Sequence, residues 1–193
     1  MVLFVNGCVR ENSRTLELAQ SVLERVSDAI EEIRLYPNGP EGLNAEKLCL
    51  RDALLKKEAY DDPMFQAARQ FAAADMIIMA APYWDLAFPA KMRAYLEEIT
   101  VSGITFRYGT AGIPKGLCHA KSLIYVTTAG GPIIQNFGFE YVKSLAHAFY
   151  GISDVILVKA EGLDIWGADP AEILEQAKSN IPAALTISKK CCS

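Results

Sequence analysis

Three short segments carry residues suited to binding a ligand, and each directly follows a predicted buried strand. The first, residues 6–15, contains Asn, Ser and Thr side chains together with Arg10 and Arg14, and it runs into a predicted helix. Backbone N–H groups at a helix start bind phosphate well, and either arginine can add a charge-assisted hydrogen bond. The segment matches neither GxxxxGK[ST] nor GxGxxG, which excludes a Walker A loop and a dinucleotide fingerprint. The alternative is an ordinary capped helix.

The second segment, residues 82–89, is aromatic and contains Tyr83 and Trp84. Two large aromatic side chains at the mouth of a sheet suit a flat ring system; the alternative is that they only cover the core. The third segment, residues 127–132, contains paired glycines, which let a backbone approach a ligand closely but are also typical of a plain turn.

Apolar runs and helical spacing predict the elements that position these segments. Short apolar runs indicate strands that are buried on both faces, as in a parallel sheet. The predicted strands are Val2–Val5, Glu32–Tyr36, Met76–Ala81, Ser122–Thr127 and Asp154–Lys159. Helical spacing or capping signals follow each of them, and Asn12 or Ser13 is the predicted cap of the first helix.

The alternation of strands and helices specifies an α/β fold of three layers around a five-stranded parallel sheet. Ligands of such sheets bind beyond the carboxyl ends of the strands, so the three segments share one edge and together suit a planar cofactor with one phosphate. Three further predictions are a loop with one short helix over residues 41–62, a helix over Phe139–Tyr150, and a last helix that opens at Asp169–Glu172 and is kinked or interrupted by Pro182.

Composition limits the classes of protein to which this chain can belong. Its 193 residues are 51% hydrophobic with a net charge of −4, which predicts one domain over residues 1–193 and argues against nucleic-acid and membrane partners. The apolar runs are too short for a membrane span and the start does not resemble a signal peptide. Five scattered cysteines predict reduced thiols in the cytoplasm, with Cys191 and Cys192 in a tail.

Four motifs occur in the order found in one enzyme family. Ser13–Thr15 resembles its serine-rich phosphate loop, and Ala81–Ala90 has the length and prolines of its P-M-Y-N-F-x-x-P loop. Gly103–Tyr108 with Pro114–Leu117 resembles G-x-T-F-x-Y and G-L, and Val126–Gly131 resembles V-T-S-R-G-G. From Leu3 to about Ile187 the chain thus resembles the FMN-dependent NAD(P)H:quinone oxidoreductase and azoreductase family, whose flavodoxin-like fold implies the strand order 2-1-3-4-5.

The resemblance implies a ping-pong reaction in which NADH or NADPH gives hydride to bound FMN and a quinone or azo compound then takes two electrons. No side chain is expected to be a catalytic nucleophile, because the chemistry belongs to the cofactor. Loop amides at Trp84, Asp85 and Gly130–Gly131 are expected to hold the ring, and Ser13–Thr15 the phosphate. The complete set of expected FMN contacts is Cys8, Arg10, Ser13, Arg14, Thr15, Pro82, Tyr83, Trp84, Asp85, Leu86, Thr127, Thr128, Ala129, Gly130 and Gly131. Residues 101–117 are expected to help form a homodimer.

Three positions depart from the family pattern. Cys8 stands near a common serine, and a thiol is a poorer donor to phosphate than a hydroxyl. Asp85 replaces the usual Asn, and its carboxylate would repel a negatively charged reduced flavin. Ala129 replaces Arg and so removes a positive charge near the ring. These changes affect substrate preference and redox tuning more than FMN binding.

Two other functions stay open: a flavodoxin-like electron carrier without pyridine nucleotide activity, and a reductase of free FMN. Carriers of that type are usually smaller and more acidic, so the charge of −4 argues against the first. His119 and His147 are the two candidate proton donors, but His119 should lie at the amino end of its strand, and neither has neighbours that would form a metal site.

Overall fold

The computed structural model describes residues 1–182, and its sheet has the predicted topology. The chain forms β1 (Val2–Asn6), α1 (Arg14–Leu23), β2 (Ile30–Arg34), α2 (Ala45–Lys56), a 3-10 turn (Pro63–Phe65), α3 (Gln66–Ala73), β3 (Met76–Ala80), α4 (Ala90–Ile99), β4 (Phe106–Tyr108), β5 (Pro114–Gly116), β6 (Ser122–Thr128), α5 (Phe137–Leu145), a π-helical turn (Ala146–Tyr150), β7 (Asp154–Ala160) and α6 (Pro170–Ser179). The predicted Cys191–Cys192 tail lies outside the described residues.

The main sheet has five parallel strands in the order β2-β1-β3-β6-β7, which confirms the predicted order 2-1-3-4-5. The inner strands β1 and β3 are buried along their whole length, as their continuous apolar runs predict. Side chains that alternate along the strands pack against helices on both faces of the sheet, in two apolar layers. The three-layer α/β class is therefore confirmed.

The edge strand β2 begins at Ile30, two residues before the predicted start at Glu32. Parallel pairing with β1 sets this boundary, because Val2 lies opposite Ile30 and Asn6 opposite Arg34. Most of β2 is exposed, so burial gives little pattern from which to predict its bounds.

Three other segments also differ from the sequence prediction. Residues 41–62 hold α2, a helix of 12 residues with no buried side chain, so the apolar period that would reveal its length is missing. Residues 101–117 contain the antiparallel hairpin β4–β5. The last helix ends at Ser179, so within the described part of the chain Pro182 follows the helix and does not kink it.

Among the described residues, no helix has both the length and the apolar character that crossing a membrane requires.

Candidate functional site

A cleft of about 210 Å³ lies at the carboxyl ends of the parallel strands. The loops after β1, β3, β6 and β7 form its walls. Its lining residues are Val9, Arg10, Asn12, Ser13, Arg14, Thr15, Pro82, Tyr83, Trp84, Thr128, Ala129, Gly130, Leu163 and Asp164. The three segments singled out in the sequence therefore meet at one place, and a fourth loop, after β7, joins them.

The start of α1 supplies hydrogen-bond donors to one end of the cleft. Ser13 caps the helix, and its Oγ accepts a hydrogen bond from the Leu16 amide at 3.4 Å. The amides of Arg14 and Thr15 donate to no acceptor among the described residues, as expected of a helix start. This end, called here the phosphate half, combines free N–H groups with the positive end of a helix dipole and suits an anion.

The two arginines near the phosphate half have different surroundings. Nη1 of Arg14 donates to the carboxylate Oδ1 of Asp164 at 2.8 Å and to the carbonyl oxygen of Leu163 at 3.3 Å. Arg10 is exposed and makes no hydrogen bond or ion pair within residues 1–182. The structure therefore holds only Arg14 in a fixed position, whereas the sequence left the two equivalent.

Thr15 and Thr128 join the phosphate half to the sheet. Their Oγ1 atoms are buried and lie 2.6 Å apart, so one hydroxyl donates to the other. This bond links the first turn of α1 to the end of β6. One proton of the pair is used in it, which leaves a single hydroxyl proton to share with a ligand.

Cys8 lies behind the cleft and does not line it. It is 9% exposed, and its amide donates to Oδ1 of Asn6 at 3.0 Å. Burial raises the pKa of Cys8 to about 11, although a hydrogen bond with Ser13 offsets part of that rise. The thiol is therefore neutral near pH 7. It supports the loop after β1, which forms one wall of the cleft.

The opposite end of the cleft, called here the ring half, contains a tight turn after β3. Trp84 and Ala87 exchange backbone hydrogen bonds of 3.3 and 2.8 Å, and the two residues between them have positive φ: 49° at Asp85 and 68° at Leu86. The Trp84 amide, expected to hold a ring, is thus engaged within the turn. The amides of Asp85 and Leu86 have no acceptor in the described part of the chain, so they are the available donors.

The side chains of the ring half are largely exposed. Trp84 is 42% and Leu86 44% exposed. The Tyr83 hydroxyl donates to the carbonyl oxygen of Gln135 at 2.8 Å, and the Tyr83 amide donates to Thr128. Tyr83 is therefore fixed by the protein, while Trp84 presents apolar surface.

The loop after β6 is fastened to the loop after β7. The amide of Leu163 donates to Ala129, that of Asp164 to Gly130 and that of Gly162 to Gly131. The amides of Gly130 and Gly131 donate to no acceptor within residues 1–182. Oδ2 of Asp164 lies close over Gly130, so a Cβ at this position would overlap it unless the Asp164 side chain moved.

Several expected contacts lie outside the cleft lining. These are Cys8, Asp85, Leu86, Thr127 and Gly131. Thr127 is fully buried and its Oγ1 has no hydrogen-bond partner in the described structure, while Asp85 and Leu86 are exposed in the turn after β3. Sequence reasoning missed Leu163 and Asp164, although the rule that ligands bind beyond strand ends applies to β7 as well.

Neither histidine lies in the cleft. His119 precedes β6 at the amino edge of the sheet, where its amide donates to Ala72, and His147 is exposed in the π-helical turn. The described residues contain no cluster of His, Cys, Asp and Glu that could hold a metal ion.

Comparisons with known proteins agree on one family. The model of a family described as having a flavodoxin-like fold matches residues 1–185. An FMN-dependent NADH:quinone oxidoreductase of Clostridium perfringens is 31% identical over 199 aligned residues, covering 98% of this chain and 98% of that protein. Another protein of that description, from Pseudomonas fluorescens, is 35% identical over 195 aligned residues and 91% of each chain.

Solved structures show the same fold at lower sequence identity. An azoreductase of Bacillus anthracis superposes with a TM-score of 0.79 at 23% identity, covering 92% of this chain and 94% of that chain. An FMN-dependent NADH-azoreductase of the same species, solved in complex with FMN, superposes with a TM-score of 0.74 at 21% identity and covers 92% and 93%.

Proposed function

Because this chain belongs to the flavodoxin-like fold family, with FMN-dependent NADH:quinone oxidoreductases among its relatives, we propose that it is an FMN-dependent oxidoreductase. It uses NADH or NADPH as the hydride donor and a quinone, an azo compound or a similar acceptor of two electrons. The observation that carries the proposal is the meeting of a phosphate half and a ring half in one cleft at the sheet edge.

The donors of the phosphate half fit the phosphate of FMN. The free amides of Arg14 and Thr15 and the Ser13 hydroxyl surround the helix start, and Arg14 adds a fixed positive charge. A phosphate dianion accepts several hydrogen bonds from N–H and O–H groups, and a charge-assisted bond from a cation is stronger than a neutral one. Cys8 contributes by supporting this loop.

The ring half fits a flat, partly polar ring. Trp84 offers an apolar surface, and the free amides of Asp85, Leu86, Gly130 and Gly131 are donors for polar ring atoms. The cleft volume of about 210 Å³ is smaller than the roughly 300–1,000 Å³ typical of small-molecule sites. Part of a bound ring would therefore extend out of this cleft, where a hydride donor and an acceptor can reach it.

FMN, when bound, supplies the group that takes hydride from the donor and passes two electrons to the acceptor. The residues of this chain bind and orient it, and free amides stabilise negative charge on the ring. The carboxylate of Asp85, in the turn next to the ring half, opposes that stabilisation. A ping-pong order follows if donor and acceptor use the same open face in turn.

A second copy of the chain completes the ring half. Exposed apolar side chains at this edge of the sheet, beyond Trp84 and Leu86, are Ile134, Ile165 and Trp166 on loops and Phe137 at the start of α5. The hairpin within residues 101–117 also exposes Tyr108 and Ile113. Exposed apolar surface of this kind is costly in water, so we propose that two copies of the chain form a homodimer. We also propose a cytoplasmic location, because the described cysteines are free thiols. Light scattering of the FMN-loaded protein is expected to give twice the chain mass, and a monomer would reject this part.

One kinetic panel separates the proposed function from its alternatives. The purified chain, loaded with FMN, is assayed for oxidation of NADH and NADPH with a quinone, an azo dye or free FMN as acceptor. Turnover with the quinone or the azo dye supports the proposal. Turnover with free FMN alone indicates a flavin reductase, and bound flavin that never responds to either nucleotide indicates an electron carrier.

A further inference from the structure

The side chain of Asp164 stands between the two halves of the cleft. Its Oδ1 accepts the hydrogen bond from Nη1 of Arg14 in the phosphate half. Its Oδ2 lies directly over Gly130, on the loop that supplies amides to the ring half, so that a Cβ on this glycine would overlap it. The carboxylate thus contacts the anion-binding end through Oδ1 and lies beside the loop after β6 through Oδ2.

The position of Asp164 is fixed from both sides. Its amide donates to the carbonyl oxygen of Gly130 at 2.8 Å, and the neighbouring Leu163 carbonyl also accepts from Arg14. The side chain is still 66% exposed, and its Oδ2 makes no hydrogen bond within the described residues. One carboxylate oxygen is therefore committed to the protein, and the other is an oriented acceptor that faces the cleft.

Oδ2 of Asp164 favours a ligand group that donates hydrogen bonds. The part of the ligand that lies opposite this oxygen should carry no negative charge. Ionised carboxylates only accept hydrogen bonds, and the pairing of Oδ1 with Arg14 offsets their repulsion of a nearby phosphate. In flavin mononucleotide, the phosphate and the ring are joined by the ribityl group, a carbon chain that carries hydroxyl groups. These hydroxyl groups are uncharged hydrogen-bond donors.

We propose that Asp164 binds the ribityl hydroxyl groups of the cofactor through Oδ2, and that it makes the cleft specific for a flavin carrying this polyol chain. The inference rests on the proposed function. It assigns to the loop after β7 a contact with the middle of the ligand, while the loops after β1 and β3 contact the two ends.

Three flavins separate this contact from the others: lumiflavin has the ring alone, riboflavin adds the ribityl chain and FMN adds the phosphate. Affinities of the wild-type chain, Asp164→Ala and Asp164→Asn for each flavin are measured by quenching of flavin fluorescence. Asp154→Ala is the matched control, because Asp154 is an exposed carboxylate at the opposite end of β7. Thermal unfolding of each variant checks that it is folded.

We expect Asp164→Ala to reduce the ratio of riboflavin to lumiflavin affinity about three- to tenfold, the value of one hydrogen bond. Asp164→Asn, which keeps an acceptor oxygen, restores part of the ratio, and Asp154→Ala leaves it unchanged. If Asp164 only anchors Arg14, its replacement lowers the ratio of FMN to riboflavin affinity and leaves the affinities for riboflavin and lumiflavin unchanged. That result would overturn the inference. Unchanged ratios in every variant also overturn it. A wild-type chain that binds no flavin rejects the proposed function itself.

Discussion

The phosphate half and the ring half of the cleft meet in one site but are built in different ways. In the phosphate half, a capped helix start, a buried hydroxyl pair and an arginine in an ion pair fix the donors other than Arg10. In the ring half, a two-residue turn with positive φ holds exposed side chains. Regular structure thus positions the groups that need precise charge complementarity, while an irregular turn presents surface that can change without loss of the fold.

The largest effect should come from removing the fixed cation of the phosphate half. We expect Arg14→Ala to weaken FMN binding about 30-fold, near 2 kcal/mol, because a charge-assisted contact to phosphate is lost. Riboflavin, which lacks the phosphate, should lose much less affinity, because Arg14 affects it only through the bond that holds Asp164. Fluorescence titration measures both affinities.

Arg10→Ala is the control for that variant, since Arg10 lines the same cleft and has no partner within residues 1–182. Its effect on FMN affinity should stay within about threefold, the range of an exposed and screened charge. Equal losses for the two variants would show that the phosphate half is not fixed in the way described.

The hydroxyl pair between Thr15 and Thr128 should contribute the next largest effect, on stability. Replacing either threonine by valine leaves the other buried hydroxyl without its partner, which costs about 1.5 kcal/mol in free energy of unfolding. The double variant should lose less than the sum of the single variants, because no unpaired hydroxyl remains. Urea unfolding of the four proteins gives the coupling energy, and strictly additive losses would contradict a direct bond.

Cys8 should make stability depend on alkaline pH. Burial raises the pKa of Cys8 in the folded chain to about 11, from an ordinary value of 9.0, so the unfolded chain loses the thiol proton at lower pH. This contribution to stability is complete below about pH 9 and is lost as the pH approaches 11, by about 1 kcal/mol between pH 9 and 10.

The matched comparison is with Cys8→Ser, which lacks this titration. Cys118, whose pKa burial raises to about 12, is present in both proteins, so its effect cancels in the difference. Urea unfolding at pH 7, 9 and 10 should show a smaller decline for Cys8→Ser. Parallel declines would mean that the thiol is not buried as described.

The smallest effect should be a gain of stability in the ring half. Leu86 has a φ of 68°, where glycine is at ease and leucine is strained. We expect Leu86→Gly to raise the free energy of unfolding by about 0.5 kcal/mol after the added freedom of the unfolded chain is subtracted. Leu86→Ala keeps the strain and serves as control; an equal gain in both would assign the effect to the lost side chain.

The sequence predicted the parts of the molecule that local patterns determine. The inner strands and the cap at Ser13 follow from apolar runs and short-range hydrogen bonding, and the structure contains both. The exposed β2 and α2 lacked such a pattern, so their bounds were predicted poorly.

The sequence predicted the separate loops of the candidate site but not the contacts between them. Arg14 and Arg10 differ through contacts with Leu163 and Asp164, which lie about 150 positions further along the chain, and no local pattern contains that information. The Trp84 amide likewise bonds within its own turn because Asp85 and Leu86 both have positive φ. Aspartate is enriched at positive φ, but leucine gives no signal for that conformation.

The proposed activity requires that FMN binds in the cleft and that the bound FMN is reduced there. The direct measurement is to load the purified chain with FMN, remove the excess, and follow the flavin absorbance on adding NADH or NADPH without oxygen, followed by a quinone. We expect the chain to retain flavin and the yellow absorbance of that flavin to be lost when one of the two nucleotides is added. The absorbance should return when the quinone is added. A chain that retains no flavin, or whose bound flavin neither nucleotide bleaches, would contradict the proposed activity.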